Sequence, residues 1–301
     1  MTENRSGILL LDKPAGITSA DALNQLKRKH RFARIGHGGT LDPFATGLMV
    51  VLLGEATKVA RFLLEGEKQY EAEAALGLET DSGDLTGTVV NTLPAPSLST
   101  EEWQKFADKF LGRTRQTPPV YSAIKVKGKA LYEYARKGEE VEIKDREVTI
   151  RELQILAADK GALKFKVSCS GGTYIRVLAA DIAKAAGSTA HLRALRRTGS
   201  SAFRVADAIT LEKALETPAA DIPLRSLTEG LAHLPKVNCG PDQAQKVRQG
   251  NLAVFDSLRG QMEKPGYFLL LEGGKAVAIC NHNPMLIPFC SIERVFDPRH
   301  V

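Results

Sequence analysis

Gly36-His37-Gly38-Gly39-Thr40-Leu41-Asp42-Pro43-Phe44-Ala45-Thr46-Gly47 sets one carboxylate, Asp42, among glycines and small or apolar residues. Gly36, Gly38 and Gly39 allow a tight turn and a close approach of backbone to a large ligand. Pro43 fixes its own φ and biases Asp42 toward an extended conformation, so the carboxylate sits on a stiff turn. From Ala22 to Leu41 there is no acid, but there are Lys27, Arg28, Lys29, Arg31 and Arg34. A lone acid at the end of a basic segment suits chemistry on a polyanion. The plainer alternative is a turn or helix cap, which Asp also serves well. Two phosphate-loop readings fail: Leu41 stands where a dinucleotide fingerprint needs glycine, and no Gly-Lys-Ser/Thr is present.

Outward from this loop, Gly7–Leu11 reads as a short buried strand. Thr18 with Asp21 forms a capping-box pattern that opens a helix, basic at its far end. Leu48–Leu53 has the length of a buried strand, and Glu55–Leu64 has helical spacing. In Lys68–Leu78, Tyr70, Ala72, Ala74 and Leu76 alternate with polar residues, as a strand with one buried face requires. Leu163, Phe165, Val167 and Cys169 alternate likewise, and a helix follows to about Ala186, stopped by Gly187. Strands and helices mix without βαβ alternation, which predicts an α+β fold with a mixed or antiparallel central sheet and flanking helices. Thr210–Leu227, with Pro218 and Pro223, reads as a link, and Phe268–Leu271 and Ala276–Cys280 as a hairpin around Gly273-Gly274. The predicted domains are residues 1–225 and a small, mainly-β unit of residues 226–301.

The chain of 301 residues carries a net charge of +6, which moderately favours an acidic partner. Its distribution says more. A second acid-free stretch, Ile182–Ala206, holds Lys184, Arg193, Arg196, Arg197 and Arg204. A third cluster, Arg113, Arg115, Lys125, Lys127 and Lys129, surrounds Tyr121. Each could be a solvated face, but three with few compensating acids predict a positive groove for phosphates. The acidic segment Glu79–Asp84 does not fit a calcium loop and reads as a solvated turn. Cys169, Cys239, Cys280 and Cys290 lie far apart, against structural zinc or a disulfide framework. The polar start, Met1–Gly7, has no signal-peptide core, and no apolar run reaches membrane-spanning length. Together these predict a soluble, cytoplasmic protein.

The whole loop resembles the catalytic motif of the TruB family of tRNA pseudouridine synthases. Further landmarks match in order: Leu11–Ser19, Gly54–Lys58, Pro119–Lys125, Gly172–Arg176 and His191–Thr198. The resemblance spans roughly residues 7 to 205 and implies the pseudouridine synthase fold, with a C-terminal PUA-like RNA-binding domain. It implies an isomerase that acts on uridine 55 in the T-loop of tRNA, as a monomer with no cofactor, no metal and no obligate protein partner. Asp42 would be the nucleophile, Arg176 the arginine that pairs with it, and Tyr70 the tyrosine that stacks on the target base and helps remove the C5 proton. His37, Tyr174 and Leu195 would line the uridine, with Lys13 also on the substrate side. Gly38 departs from the family pattern, which often has threonine there, and Gly199-Ser200-Ser201 also varies.

Pseudouridine formation breaks the C1′–N1 bond, turns the base and joins C1′ to C5. It needs a nucleophile, a base for the C5 proton and a pocket that retains uracil. Reaching C1′ and C5 requires the nucleotide to leave its stack. Attack at C1′, attack at C6 and loss of a C2′ proton all remain open for Asp42. Two other readings compete: a tRNA-binding or folding factor whose RNA binding matters more than catalysis, and a retaining glycosidase. The glycosidase needs a second carboxylate, which the motif lacks.

Overall fold

Thr18 and Asp21 form the predicted capping box: the Asp21 N–H donates to Thr18 Oγ1 at 3.0 Å, and the Thr18 N–H donates to Asp21 Oδ2 at 3.1 Å. They open helix Ser19–His30, whose last turn carries Lys27, Arg28, Lys29 and His30 at the negative end of the helix dipole. These features come from a computed structural model, which describes residues 5–298 except Ala123, Lys127, Glu140 and Lys160. Residues 1–4 of the polar start, Ala123 of the Pro119–Lys125 landmark and Lys127 of the third basic cluster lie outside the described residues.

Contacts divide the chain into two compact units. One comprises Met1–Leu41, Leu48–Leu64 and Ser200–Val301, the other Asp42–Gly47 and Glu65–Gly199. In the first, strand Gly7–Lys13 pairs in parallel with Ile209–Thr210 and neighbours strand Thr46–Leu53, which belongs to this unit from Leu48 onward. Thr46–Leu53 is buried along nearly its whole length, as its unbroken apolar sequence requires. The predicted helix over Glu55–Leu64 begins instead as a 3-10 turn, Gly54–Val59, and becomes α-helical only at Ala60–Leu64. Thr57 Oγ1 donates to the Gly54 carbonyl at 2.7 Å, competing for the acceptor that an α-turn would use.

The C-terminal segment forms a four-stranded sheet ordered Lys236–Asn238, Gly266–Glu272, Lys275–His282 and Cys290–Val295, including the predicted hairpin. One of its faces shares a core with the N-terminal strands: Leu269, Leu271, Ile279 and Phe296 cluster with Ile8, Leu10, Leu48 and Phe62.

In the second unit the strand order is Ala190–Ser200, Lys68–Leu76, Ala162–Cys169, Arg146–Asp159 and Gly112–Gln116. The last four pair antiparallel in turn, whereas Thr46–Gly47 pairs in parallel with Arg196–Arg197. Helices Thr100–Ala107 and Ile175–Ala185 belong to this unit. The result is the predicted α+β fold with a mixed sheet. Among the described residues, no helix is long and apolar enough to cross a membrane.

Candidate active site

The loop around Asp42 is fixed at both ends by its sequence. At its start, Ser19 Oγ accepts from the Leu41 N–H at 2.9 Å and lies 3.0 Å from the Leu41 carbonyl, so the helix N-terminus clamps the residue before Asp42. Gly38 is close to Leu63: a Cβ there would lie 2.9 Å from the Leu63 Cβ, which accounts for glycine in place of threonine. At the other end, Gly47 has φ +99° and packs against the Arg197 backbone, where any side chain would collide with the Arg197 carbonyl oxygen.

Arg176 lies in the first turn of helix Ile175–Ala185 and is 4% exposed. The helix entry is held by Gln116, which accepts from the Tyr174 N–H at 2.9 Å and donates to the Tyr174 carbonyl at 3.2 Å. From this base the guanidinium meets acceptors on four residues. Nε lies 3.1 Å from Asp42 Oδ2 as an ion pair, and Nη2 donates to Asp42 Oδ1 at 3.4 Å. Nη2 also donates to the Tyr121 carbonyl at 2.9 Å, and Nη1 to the Ser82 carbonyl at 2.6 Å and to Asp84 Oδ2 at 3.3 Å. The planar fork thus fixes one carboxylate on each side. Asp42 keeps its side chain one-third exposed (33%), open to a ligand.

Asp84 corrects the reading of Glu79–Asp84 as a solvated turn, because Thr80, Ser82 and Asp84 are all buried. Asp84 Oδ1 accepts from Ser82 Oγ at 2.9 Å, the Thr86 N–H at 2.9 Å and Thr86 Oγ1 at 2.6 Å. This is an Asx-type turn, and its signature Ser82-Gly83-Asp84-Leu85-Thr86 was the signal available in sequence. Its pairing with Arg176 had no local signal.

Tyr70 lies on the buried face of strand Lys68–Leu76 together with Lys68. Burial pushes its phenol above the ordinary value of 10.0, with Arg197 opposing as a nearby cation and hydrogen-bond donor, while Asp42 adds to the rise. Tyr174 is also pushed up by burial and feels both Asp42 and Arg176. Lys68 goes the other way: burial, then the charge of Arg197, lowers its ammonium to about 8. The second unit therefore brings together Asp42, Arg176, Tyr70 and Tyr174, with Leu195 buried on strand Ala190–Ser200 beside the Tyr70 strand.

Lys13 and His37 belong to the other unit. Lys13 is fully buried, and its Nζ donates to the carbonyls of Pro14 and Ile17 at 2.7 and 2.8 Å. His37 Nδ1 accepts from the Gly39 N–H at 3.2 Å, within its own loop. The basic stretch Ile182–Ala206 is not uniform. Arg193 is half-exposed and paired with Glu73, whereas Arg197 is 2% exposed and unavailable to phosphates. Among the described residues, no group of three or more His, Cys, Asp or Glu is placed to hold a metal ion.

Residues 27–175 match the family model described as TruB family pseudouridylate synthase, N-terminal domain. The chain is 44% identical over 275 residues to a protein of Azoarcus sp. (strain BH72) named tRNA pseudouridine synthase B, covering 91% of this chain and 90% of that one. A protein of the same name from Bordetella pertussis is 47% identical over 225 residues, 74% of this chain and 92% of its own. Among solved structures, a chain of a Cbf5–Nop10–Gar1 complex matches with a TM-score of 0.73 at 24% identity, over 97% of this chain and 85% of that one. That likeness establishes the shared fold.

Proposed function

The chain belongs to the TruB family of pseudouridylate synthases, and from that premise we propose that it isomerises uridine to pseudouridine in tRNA, at position 55 of the T-loop, without a cofactor. The observation that carries this reading is the pairing of the accessible Asp42 carboxylate with the buried Arg176 guanidinium. A carboxylate nucleophile needs one open side and one fixed pose. Asp42 has both, because Arg176 is itself held by Asp84 and two backbone carbonyls. Asp42 acts as the nucleophile that holds the intermediate, and Tyr70 takes the proton from C5. Tyr174 and Leu195 line the flipped uridine. The Lys13 amine donates to two turn carbonyls and so also holds that turn.

We assign residues 1–225 to catalysis and 226–301 to a PUA-like RNA-binding domain, a reading supported by the four-stranded sheet. Free thiols at all four cysteines are compatible with a reducing cytoplasm, and we take the protein to act there as a monomer. The test is incubation with tRNA labelled with tritium at uridine C5. Release of one tritium per tRNA, lost when uridine 55 is replaced, is the expected result. Tight binding without release would instead support a tRNA-binding or folding factor.

A further inference from the structure

Arg197 lies in a basic run, yet its side chain ranks among the largest fully buried ones of the described residues. Burying a guanidinium carries a heavy desolvation cost, and a neutral side chain could supply a hydrogen bond at that position without it. A buried cation is better suited to a neighbour that becomes negative. Alternation along Ala190–Ser200 puts Leu195 and Arg197 among its buried residues, and the adjacent strand buries Lys68 and Tyr70. The Arg197 side chain hydrogen-bonds the Tyr70 hydroxyl. Its backbone pairs with Gly47, the last residue of the Asp42 loop. One residue therefore fixes the end of that loop and the tip of Tyr70.

We propose that Arg197 is a positioning residue for the isomerisation, acting through the Tyr70 hydroxyl by orienting it and stabilising the phenolate, formed by loss of its proton to water, that then takes the C5 proton. The inference rests on the assignment of Tyr70 as the acceptor of that proton. Once C1′ is joined to C5, the Tyr70 phenolate oxygen removes the C5 proton. Joining C5 to C1′ leaves a C6=N1 double bond; the C5–H electron pair then becomes the C5=C6 π bond, the C6=N1 π pair moves onto N1, and N1 takes a proton from water. The groups whose charge bears on the Tyr70 oxygen are Arg197, Asp42 and Cys169; Lys68, on the same face, is in turn within the influence of Arg197 and Cys169. Asp42 opposes the phenolate and Arg197 favours it. Removing Arg197 therefore raises the pH at which Tyr70 ionises.

The test is a double-mutant cycle on single-turnover pseudouridine formation, with tRNA binding and circular dichroism on the same preparations. Arg197→Met should slow turnover by about 10- to 100-fold at neutral pH, the range of a lost acid–base contribution. Its rate should level off at a higher pH than the parental rate, and Arg197→Lys should recover most of the loss. In a Tyr70→Phe background, Arg197→Met should change the rate by less than about twofold. If Arg197→Met does not fold, Arg197→Gln, which also removes the charge, completes the same cycle. Losses that multiply in the Phe background, or a parental rate for Arg197→Met, would overturn the inference. A parental rate for Tyr70→Phe alone would instead remove Tyr70 as proton acceptor, and the inference with it.

Discussion

Arg176 and Asp84, 92 residues apart in sequence, form a buried ion pair with Nη1 3.3 Å from Oδ2. The same guanidinium carries Asp42 on its other edge, so one arginine is shared between an accessible carboxylate and a sequestered one. Asp84 is in turn fixed by Ser82 and Thr86 and cannot swing to follow Arg176. The pose of Asp42 is thereby referred to a turn distant in sequence.

Asp84→Asn should expose that dependence. It keeps the shape of the turn but removes the anion facing Arg176. Misplacing the fork by an ångström costs about 100-fold in rate by the orientation argument. Single-turnover isomerisation should fall by about that factor, while tRNA affinity changes by less than about threefold. A parental rate in a folded Asn variant would show that Asp84 does not set the pose of Asp42.

The surface of the basic stretch should show in salt dependence. Each phosphate contact contributes a slope of about 0.7 to 0.9 in log K against log salt. The half-exposed Arg193 is available for such a contact, and the buried Arg197 is not. Arg193→Ala should flatten the slope by about one contact, and Arg197→Met should leave it unchanged. The reverse pattern would contradict the burial of Arg197.

Lys68 makes stability depend on pH. Its folded pKa is lowered to about 8 from 10.5, so between those values the unfolded chain binds more protons than the folded one. Stability therefore rises with pH across that window. Cys169 acts oppositely, since burial raises its thiol from 9.0 to about 11 and its contribution is lost as pH rises. The difference between the parent and Lys68→Met isolates the lysine. In urea unfolding, that difference should grow in the parent's favour by about 3 kcal/mol from pH 8 to 10.5. A flat difference would contradict a buried ammonium at this position.

What could be read in sequence followed from local rules. The capping box at Thr18, the alternation that buries Tyr70 and the stiff turn at Asp42-Pro43 each depend on residues within a few positions. The glycine and carboxylate spacing of Glu79–Asp84 reads as a solvated turn, whereas the burial of Asp84 depends on Arg176, which arrives from a helix far along the chain. Arg197 was read with its basic neighbours because a run of charge does not reveal which side chains point inward. The alternation with Leu195 was the signal that separates it from them. The 3-10 turn at Gly54–Val59 escaped a helical periodicity that holds only from its second half onward.

The central claim is that Asp42 is the nucleophile, and Asp42→Asn tests it most directly. Asn preserves the size of the side chain and serves turns and caps as well as Asp does, so the fold and tRNA binding should persist. It cannot act as an anionic nucleophile. Single-turnover tritium release and tRNA binding are measured on one preparation. The account predicts parental binding with no detectable release. A folded Asn variant that releases tritium at an appreciable rate would contradict it.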